Sequence, residues 1–348
     1  MTSQGPAAPR TPSRWRRRLE VALVALALGT VAALLVVYFR RGFVPGDAYT
    51  YLAAGERLNA GHQLYALSPG DRPVGLKPPY WTVPLLSPPL IGVLWRPLAL
   101  LPLELGVYLW WAAMISSIVG VVLVTLRRRP IAGSMAVLAL SIPITYEIGV
   151  GNVNGLLLAG LVCVWWLVAR GREVAAGALL AILVAVKLMP VVFVVWLLVS
   201  RRWMALVGVA LGGLACAIVS LAGAGFDAHL RYLAVIGQTM TGGTSDLSLA
   251  GLGRSLGLPQ AVAATLPALG AIFGLVGLFV FRGRPAVGFV VAVVAMVSVS
   301  PVMNINTPTL LLAALAPAIL PARVATGGEA GDQFASSGRA AEARPAAR

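Results

Sequence analysis

Long uninterrupted runs of apolar residues, separated by short polar segments, dominate the chain. Several runs approach the roughly 20 residues that an α-helix needs to cross a bilayer, so the fold class expected is an all-α integral membrane protein. We predict about ten transmembrane or half-membrane helices, near residues 19–39, 102–126, 131–148, 153–169, 175–187, 189–200, 203–224, 259–281, 286–300 and 307–321. They form one domain over residues 19–323, between a segment (1–18) and a tail (324–348) that we expect to be disordered in the cytoplasm.

Composition excludes a soluble domain, since 59% of the residues are hydrophobic and only 11% are charged, against about 25% charged in soluble proteins. The net charge of +15 raises the question of nucleic-acid binding. However, the basic residues gather at the ends of apolar runs, which is the pattern that orients a membrane protein, and they form no patch interleaved with aromatic residues. The expected partner is therefore the lipid bilayer, and no nucleic acid. The clusters are Arg14, Arg16, Arg17 and Arg18; Arg127, Arg128 and Arg129; Arg170 and Arg172; Arg201 and Arg202; Arg282 and Arg284.

Residues 84–100 decide the topology. They are apolar, but four prolines argue against a regular spanning helix, and a crossing here would place residues 127–129 outside, against the charge rule. We therefore predict an interfacial or re-entrant element. This choice leaves 18 of the 27 Lys and Arg residues inside and eight outside. It puts both termini in the cytoplasm of a multi-pass plasma-membrane protein, with large outer loops at residues 40–101 and 225–258. Any chemistry belongs on the outside.

Residues 175–200 also depart from a simple span, because basic residues flank them at both ends. Two short helices that meet at residues 187–190 satisfy the charge rule, and Pro190 supplies the break. Their apex is tolerated at membrane depth only where it lines a protein-enclosed cavity.

The first outer loop contains Asp47 just ahead of a predicted short helix over residues 49–59. Tyr51 and Leu52 are expected to lie on the bilayer, while Arg57 faces water. Asp47 has two interpretations: an N-terminal cap of this helix, or a general base at the membrane surface. The residues alone favour the cap.

Lys187 is the clearest charge within a span, which is costly and suggests a function such as phosphate binding; the alternative is a side chain that snorkels to the interface. Glu147, Asn152 and Asn154 gather at an outer turn, where carboxamides bind sugar hydroxyls or simply form the turn. Less specific candidates for binding phosphate are Arg72, Lys77 and Arg254.

No metal site or disulfide is expected. The chain has two histidines, His62 and His229, and both cysteines, Cys163 and Cys216, lie in apolar runs. The tryptophans Trp81, Trp95, Trp110 and Trp111 are interpreted as interfacial anchors.

The order of motifs resembles that of glycosyltransferase family 87, in the GT-C class of polyprenol-phosphate-sugar-dependent enzymes. The resemblance covers residues 47–310, nearly the whole ordered chain. The matching pieces are Asp47-Ala-Tyr49, Gly61-His-Gln-Leu-Tyr65, Pro78-Pro79-Tyr80, Gly151-Asn152-Val-Asn154-Gly155, Ala185-Val-Lys187-Leu-Met-Pro190 and Ser300-Pro301.

The resemblance implies a GT-C-type bundle with interfacial helices in the first outer loop and a cavity open to membrane and solvent. It implies that Asp47 is the catalytic base, which reverses the preference for a cap. The implied function is transfer of a sugar, mannose first, from polyprenyl phosphate to an extracytoplasmic glycolipid or polysaccharide, without a cofactor. The substrate-binding candidates are Tyr49, Glu147, Asn152, Asn154, Lys187, Arg254, Asn304 and Asn306.

The chain departs from the family at the turn after Ser300, where the family commonly carries histidines and this chain has Asn304 and Asn306. Asparagine forms hydrogen bonds but carries neither a proton nor a positive charge near neutral pH. Two alternatives therefore stay open: a transporter or flippase of a lipid-linked precursor, and a non-catalytic scaffold descended from an enzyme.

Overall fold

The computed structural model describes residues 13–42, 44–66, 85–242, 247–300 and 303–321. For residues 238–242 it describes the backbone only. Within these ranges all of the regular secondary structure is helical. The α-helices are α1 (Arg14–Arg40), α2 (Gly46–Asn59), α3 (Pro89–Trp95), α4 (Leu103–Arg128), α5 (Pro130–Ala139), α6 (Ser141–Val150), α7 (Asn154–Ala169), α8 (Glu173–Val186), α9 (Val191–Val199), α10 (Trp203–Gly242), α11 (Leu249–Ser255), α12 (Gln260–Val280), α13 (Pro285–Ser298) and α14 (Ala316–Ile319), with 3₁₀ segments at Leu98–Leu100 and Thr307–Leu315.

Four of these helices, α1, α4, α10 and α12, are long and apolar enough to cross a membrane. The pair α5 and α6, bent by 64° at residue 140, raises the number to five if it forms one span. The structure therefore agrees with an all-α membrane protein. Shorter apolar helices, including α7, α8 and α13, pack among the long ones.

The first helix begins earlier than predicted, because Arg14–Arg18 belong to α1 rather than to a disordered segment. The Ser13 side chain accepts a hydrogen bond from the Arg16 backbone N–H at 3.4 Å and caps the helix. Arg16 also pairs with Glu20 one turn later, at 3.2 Å. Residues 1–12 and the predicted disordered tail, 324–348, lie outside the described residues.

Residues 85–100 form no regular spanning helix, as their prolines predict. Pro88 and Pro89 start α3, which has only seven residues, and a 3₁₀ turn follows it. The tryptophan interpretation is wrong for Trp95 and Trp110, since both side chains are buried within the protein and pack against each other with tilted rings whose centroids are 5.0 Å apart. Trp81 lies outside the described residues.

The predicted break at Lys187–Pro190 is confirmed, because α8 ends at Val186 and α9 begins at Val191. Lys187 itself has extended backbone angles and ends α8. Helix α8 packs along the N-terminal half of α10. The two backbones meet at glycines, since a Cβ at Gly177 would overlap the Ala205 carbonyl and a Cβ at Gly208 would overlap the Val174 carbonyl. Small residues allow such close helix packing in membranes.

Helix α10 contains a kink at Gly225, whose φ of 77° and ψ of 166° are not helical and are open chiefly to glycine. The part of the helix after the kink lies beside the break between α8 and α9, and its Tyr232 and Ile236 line a cavity shared with that break. Arg96, which follows α3, donates from a terminal guanidinium nitrogen to the Gly223 carbonyl at 3.1 Å and supports the helix just before the kink.

Candidate active site

A cavity of about 400 Å³ lies where α2, the α6–α7 turn, the α8–α9 break, the C-terminal half of α10 and the turn after α13 meet. Its lining contains both polar and aliphatic side chains. The polar side chains lining it are Asp47, Thr50, Tyr51, Ser87, Asn152, Lys187, Tyr232, Ser300, Asn304, Asn306 and Thr307. The aliphatic ones include Leu85, Leu86, Leu188, Met189, Val191, Val192, Ile236, Met296 and Val299.

Asp47 lies in the first turn of α2, not ahead of it. The helix begins at Gly46, the capping position is Pro45, and no side chain caps this end. The cap interpretation of Asp47 is therefore wrong. Instead, its Oδ2 accepts a hydrogen bond of 2.7 Å from Asn152 Nδ2. The other carboxylate oxygen, Oδ1, has no hydrogen-bond partner among the described residues and belongs to a side chain that lines the cavity.

The α6–α7 turn that carries Asn152 is built around Gly151, which ends α6 with a φ of 68°. This left-handed conformation favours glycine, and a Cβ here would also lie 3.0 Å from the Ala48 side chain on α2. Two tryptophans of α4 hold the end of α6: Trp110 Nε1 donates to the Gly151 carbonyl at 2.9 Å, and Trp111 Nε1 donates to the Ile148 carbonyl at 2.6 Å. Helices α2, α4 and α6 thus position the turn.

Lys187 points its ammonium group into this turn rather than towards the membrane surface. Its Nζ donates to Asn154 Oδ1 at 2.7 Å and to Asn152 Oδ1 at 3.3 Å. An ammonium group has three donors, so one N–H is left for a ligand in the cavity. The structure therefore does not support the snorkelling interpretation. Asp47 and Lys187 are joined through the Asn152 amide rather than by a direct ion pair.

Glu147 lies beneath the cavity and does not line it. Its side chain is fully buried and receives three hydrogen bonds: Oε1 accepts from the Gly155 backbone N–H at 3.0 Å, and Oε2 accepts from Asn154 Nδ2 at 3.0 Å and from Asn306 Nδ2 at 2.7 Å. The Gly155 N–H belongs to the first turn of α7, a position where a helix favours negative charge.

The hydrogen-bond chemistry determines how each amide is oriented. Lys187 only donates and a carboxylate only accepts, so Asn152 and Asn154 turn their oxygens to Lys187 and their NH₂ groups to Asp47 and Glu147. Burial raises the pKa of Asp47 above its ordinary value, while the hydrogen bond from Asn152 and the positive charge of Lys187 act to lower it. Asp47 is thus a more basic carboxylate than one at a free surface.

Seven of the predicted site residues come together here. Five line the cavity, namely Asp47, Asn152, Lys187, Asn304 and Asn306, with Asn304 at the exposed edge of the group, and Glu147 and Asn154 lie directly behind. Tyr49 and Arg254 are not among the residues that line the cavity; Tyr49 packs against the core from α2, and Arg254 is exposed on α11. Residues 72 and 77 lie outside the described residues.

Other lining residues were missed by the sequence reasoning. Tyr51 was expected on the bilayer, but it is 4% exposed and faces the cavity beside Thr50. Arg57, which does not line the cavity, was expected in water, but it is buried and donates to the Ala66 carbonyl at 2.7 Å. Tyr232, also missed, stacks on Tyr65 with ring centroids 6.0 Å apart. No local pattern marks these residues, because each is brought to its place by a distant segment.

Within the part of the chain that the structure describes, no three His, Cys, Asp or Glu side chains gather as metal ligands. The positive charge at the cavity comes from Lys187, and the arrangement offers one basic carboxylate, one cation and several amide and hydroxyl groups. Chemically, this set can accept a proton from a hydroxyl and hold an anionic oxygen at the same time.

Comparison with known proteins gives two matches. The sequence model of glycosyltransferase family 87 matches residues 86–303, a range that includes Glu147, Asn152, Asn154 and Lys187 and begins after Asp47. A polyprenol-phosphate-mannose-dependent alpha-(1-2)-phosphatidylinositol pentamannoside mannosyltransferase of Mycolicibacterium smegmatis (strain ATCC 700084 / mc(2)155) is 27% identical over 216 residues, which are 59% of this chain and 49% of that protein.

The chain thus spans about half the length of the curated relative it matches. No solved structure matches the chain. Neither the family nor the relative is a transporter. Because the family model covers more than half of its residues, this chain belongs to glycosyltransferase family 87.

Proposed function

We propose that the protein transfers a sugar, with mannose as the first candidate, from a polyprenyl phosphate to a glycolipid or polysaccharide outside the plasma membrane. The observation that carries the proposal is the pairing of Asp47 and Lys187 across the Asn152 amide at the cavity wall. One group is placed to receive a proton and the other to hold a phosphate. The mannose donor is suggested by the name of the relative, which depends on polyprenol-phosphate-mannose.

The lining of the cavity suits a lipid-linked donor. Aliphatic side chains from the α8–α9 break, α10 and α13 contribute to it, as Leu188, Ile236 and Met296 illustrate. An apolar chain is stabilised by such a surface, whereas a phosphate and a sugar require the polar groups around Asp47 and Lys187. A polyprenyl phosphate carries both kinds of surface in one molecule.

In the proposed reaction Asp47 acts as general base. The acceptor hydroxyl oxygen forms a bond to the anomeric carbon while the bond from that carbon to the phosphate oxygen breaks, and the departing polyprenyl phosphate takes the electron pair. A sugar hydroxyl is too weak an acid to ionise beforehand, so its proton passes to Asp47 Oδ1 in the transition state. Such a base contributes about 10²–10⁴-fold. Attack from the face opposite the phosphate inverts the anomeric centre and turns a β-linked donor into an α-glycoside.

Lys187 supplies the positive charge that the leaving phosphate needs. Its remaining N–H, after those given to Asn152 and Asn154, is free to donate to a phosphate oxygen as negative charge develops there. A donor that is already in place costs no reorganisation during the reaction. The proposed reaction requires no cofactor, because the phosphate activates the sugar and Lys187 stabilises the leaving group.

The proposed topology follows from the basic clusters, which prefer the cytoplasmic side. It places both termini in the cytoplasm and the cavity at the outer face, and it lets the shorter apolar helices complete about ten transmembrane or half-membrane segments. A reporter inserted beside residue 47 tests this directly. It should be accessible from outside intact cells, and accessibility only from the cytoplasm would contradict the proposal.

Replacing Asp47 by Asn or by Ala tests the chemistry. In membranes supplied with radiolabelled polyprenyl-phosphate mannose and a lipid extract as acceptor, we expect either variant to lose at least about 100-fold in transfer rate. Asp227→Asn is the matched control, since this carboxylate is 66% exposed and its ion pair among the described residues is with Arg231 in the next turn, at 2.6 Å. Undiminished transfer by Asp47→Asn would remove Asp47 from its role.

A further inference from the structure

Asn306 is a buried residue whose side-chain amide makes one hydrogen bond among the described residues, through its NH₂ group. The residue is 4% exposed, precedes the 3₁₀ segment Thr307–Leu315, and lines the cavity. Its Nδ2 donates to Glu147 Oε2 at 2.7 Å, a contact between residues 159 positions apart. Its Oδ1 has no hydrogen-bond partner among the described residues.

Glu147 determines which way this amide faces. A carboxylate accepts and does not donate, so the NH₂ end of Asn306 must point at Glu147 and the oxygen must point away from it. Glu147 is itself held by the Gly155 backbone N–H and by Asn154, so the amide cannot reverse without losing a buried hydrogen bond. Asn306 lines the cavity on the side opposite Glu147, so its oxygen is open to a ligand there. Once a ligand covers this oxygen, an acceptor without a partner is unfavourable.

The chemistry of the neighbours narrows what that ligand group is. A phosphate oxygen does not donate a hydrogen bond and has Lys187 as its partner, and the hydroxyl that reacts has Asp47. The polyprenyl chain has no polar atoms. A hydroxyl of the sugar that is being transferred is the remaining donor in a polyprenyl-phosphate sugar.

We propose that Asn306 is a specificity-determining residue, whose Oδ1 accepts a hydrogen bond from one hydroxyl of the donor sugar, and that Glu147 is the positioning residue that orients it. The inference rests on the proposed function and deepens it. Glu147 is then a support beneath the site and does not touch the substrate, although the sequence alone had suggested that it binds substrate directly.

A donor that lacks the critical hydroxyl leaves the amide oxygen unpaired. Such an unpaired buried acceptor costs about 1–3 kcal/mol, which corresponds to roughly a five- to 150-fold loss in kcat/KM. Donors that lack any other hydroxyl should not show this loss through Asn306. The ratio of kcat/KM for the native donor to kcat/KM for each deoxy donor therefore reports on this contact. A general structural defect would lower kcat/KM for all the donors together and leave this ratio unchanged.

The experiment uses the full chain in lipid nanodiscs with polyprenyl-phosphate mannose and a set of analogues that each lack one hydroxyl. We expect the wild-type protein to discriminate against one analogue by about five- to 150-fold. Asn306→Leu should lower transfer from the native donor to about the level of that analogue, so that the ratio falls to about one. Glu147→Gln must turn its NH₂ group either against the Gly155 N–H or against Asn154 and Asn306, and the resulting loss of a buried hydrogen bond in the support of Asn306 should lower the same ratio.

Thr309→Val is the matched control. Thr309 lies in the same 3₁₀ segment, its buried hydroxyl has no hydrogen-bond partner, and it does not line the cavity, so the ratio should keep its wild-type value. For a variant without measurable transfer, titration with the native and the deoxy donors, followed by the quenching of tryptophan fluorescence, gives a binding constant for each donor. The ratio of these binding constants then replaces the ratio of kcat/KM values.

Four results would overturn the inference: a wild-type protein that treats all deoxy donors alike, an Asn306→Leu variant with an unchanged ratio, an Asn306→Leu variant that binds no donor at all, or discrimination that follows hydroxyls of the acceptor instead. Failure of the wild-type protein to use any polyprenyl-phosphate sugar would be a different outcome, because it would contradict the proposed function itself.

Discussion

Asn152 is the residue whose replacement tests the geometry of the site most directly. Its amide donates to Asp47 Oδ2 at 2.7 Å, accepts from Lys187 Nζ at 3.3 Å and accepts from the Asn154 backbone N–H at 3.1 Å. Replacement by Ala removes all three contacts and adds no new charge. The proposed base then keeps its place in α2 but loses the group that orients it.

The size of the effect follows from the hydrogen bond to Asp47. The bond is short, it involves a carboxylate, and Asn152 is 8% exposed, so it belongs with the bonds to charged groups that contribute about 1.5–3 kcal/mol. If that energy holds the base in its productive position, its loss lowers kcat by roughly 10- to 150-fold. The loss should persist at high pH, where Asp47 is ionised in both proteins.

The same replacement changes the pH dependence. A general base works only when deprotonated, so activity falls as the pH drops through the pKa of Asp47. Burial already raises this pKa, and the hydrogen bond from Asn152 opposes the rise. Asn152→Ala removes that opposition, which raises the pKa of Asp47 further and moves the acidic limb of the kcat profile to higher pH.

Initial rates of sugar transfer, measured at saturating donor across the acidic limb and the plateau, separate the two effects. Asn59→Ala is the matched control, because Asn59 also joins two segments through its amide, with 2.9 Å contacts to Arg96, but lies outside the cavity. It should leave the limb in place. A folded Asn152→Ala protein with an unmoved limb and a wild-type plateau would refute the role assigned to this amide.

Two further predictions concern the cation and the helix packing. Lys187→Met should lower kcat/KM for the lipid-linked donor by about 10- to 150-fold, because a hydrogen bond to a charged group is lost. Lys187→Arg should retain part of the activity. Equal rates for Lys187→Met and the wild-type protein in the nanodisc assay would exclude the phosphate contact. Gly208→Val should destabilise the protein by about 1–3 kcal/mol, seen as a lower thermal unfolding midpoint in detergent, since any Cβ there overlaps a backbone carbonyl of α8. Gly213→Val, on the same helix with open space around it, is the control, and an equal midpoint shift in both variants would contradict the argument.

The amide chain also explains how a site can be built with few charges in a mostly apolar protein. Lys187 and Asp47 keep their capacity for ligands because Asn152 lies between them, and Asn154 connects Lys187 with Glu147 in the same way. Each asparagine has an acceptor end and a donor end, so it satisfies a cation and a carboxylate at once. A direct ion pair would leave both groups less available to a phosphate and a hydroxyl.

The order of the helices was largely determined by the sequence. The predicted break at Pro190 and the irregular segment around residues 84–100 both agree with the structure. The outcome is understandable, because the length of an apolar run and a proline's missing N–H act within a few residues of the chain. Local chemistry was also enough to nominate Asp47, Asn152 and Lys187, which the structure brings to one cavity.

The tertiary structure alone decided how those residues are used. The contacts Asn152–Asp47 and Asn306–Glu147 join positions 105 and 159 residues apart, and no periodicity within one helix reports on them. The same holds for Glu147, which lies beneath the cavity instead of in it, and for Tyr51, which faces the cavity instead of the bilayer. A helix pattern states that a face is apolar, but whether lipid, protein or a cavity covers that face depends on which distant helices pack against it.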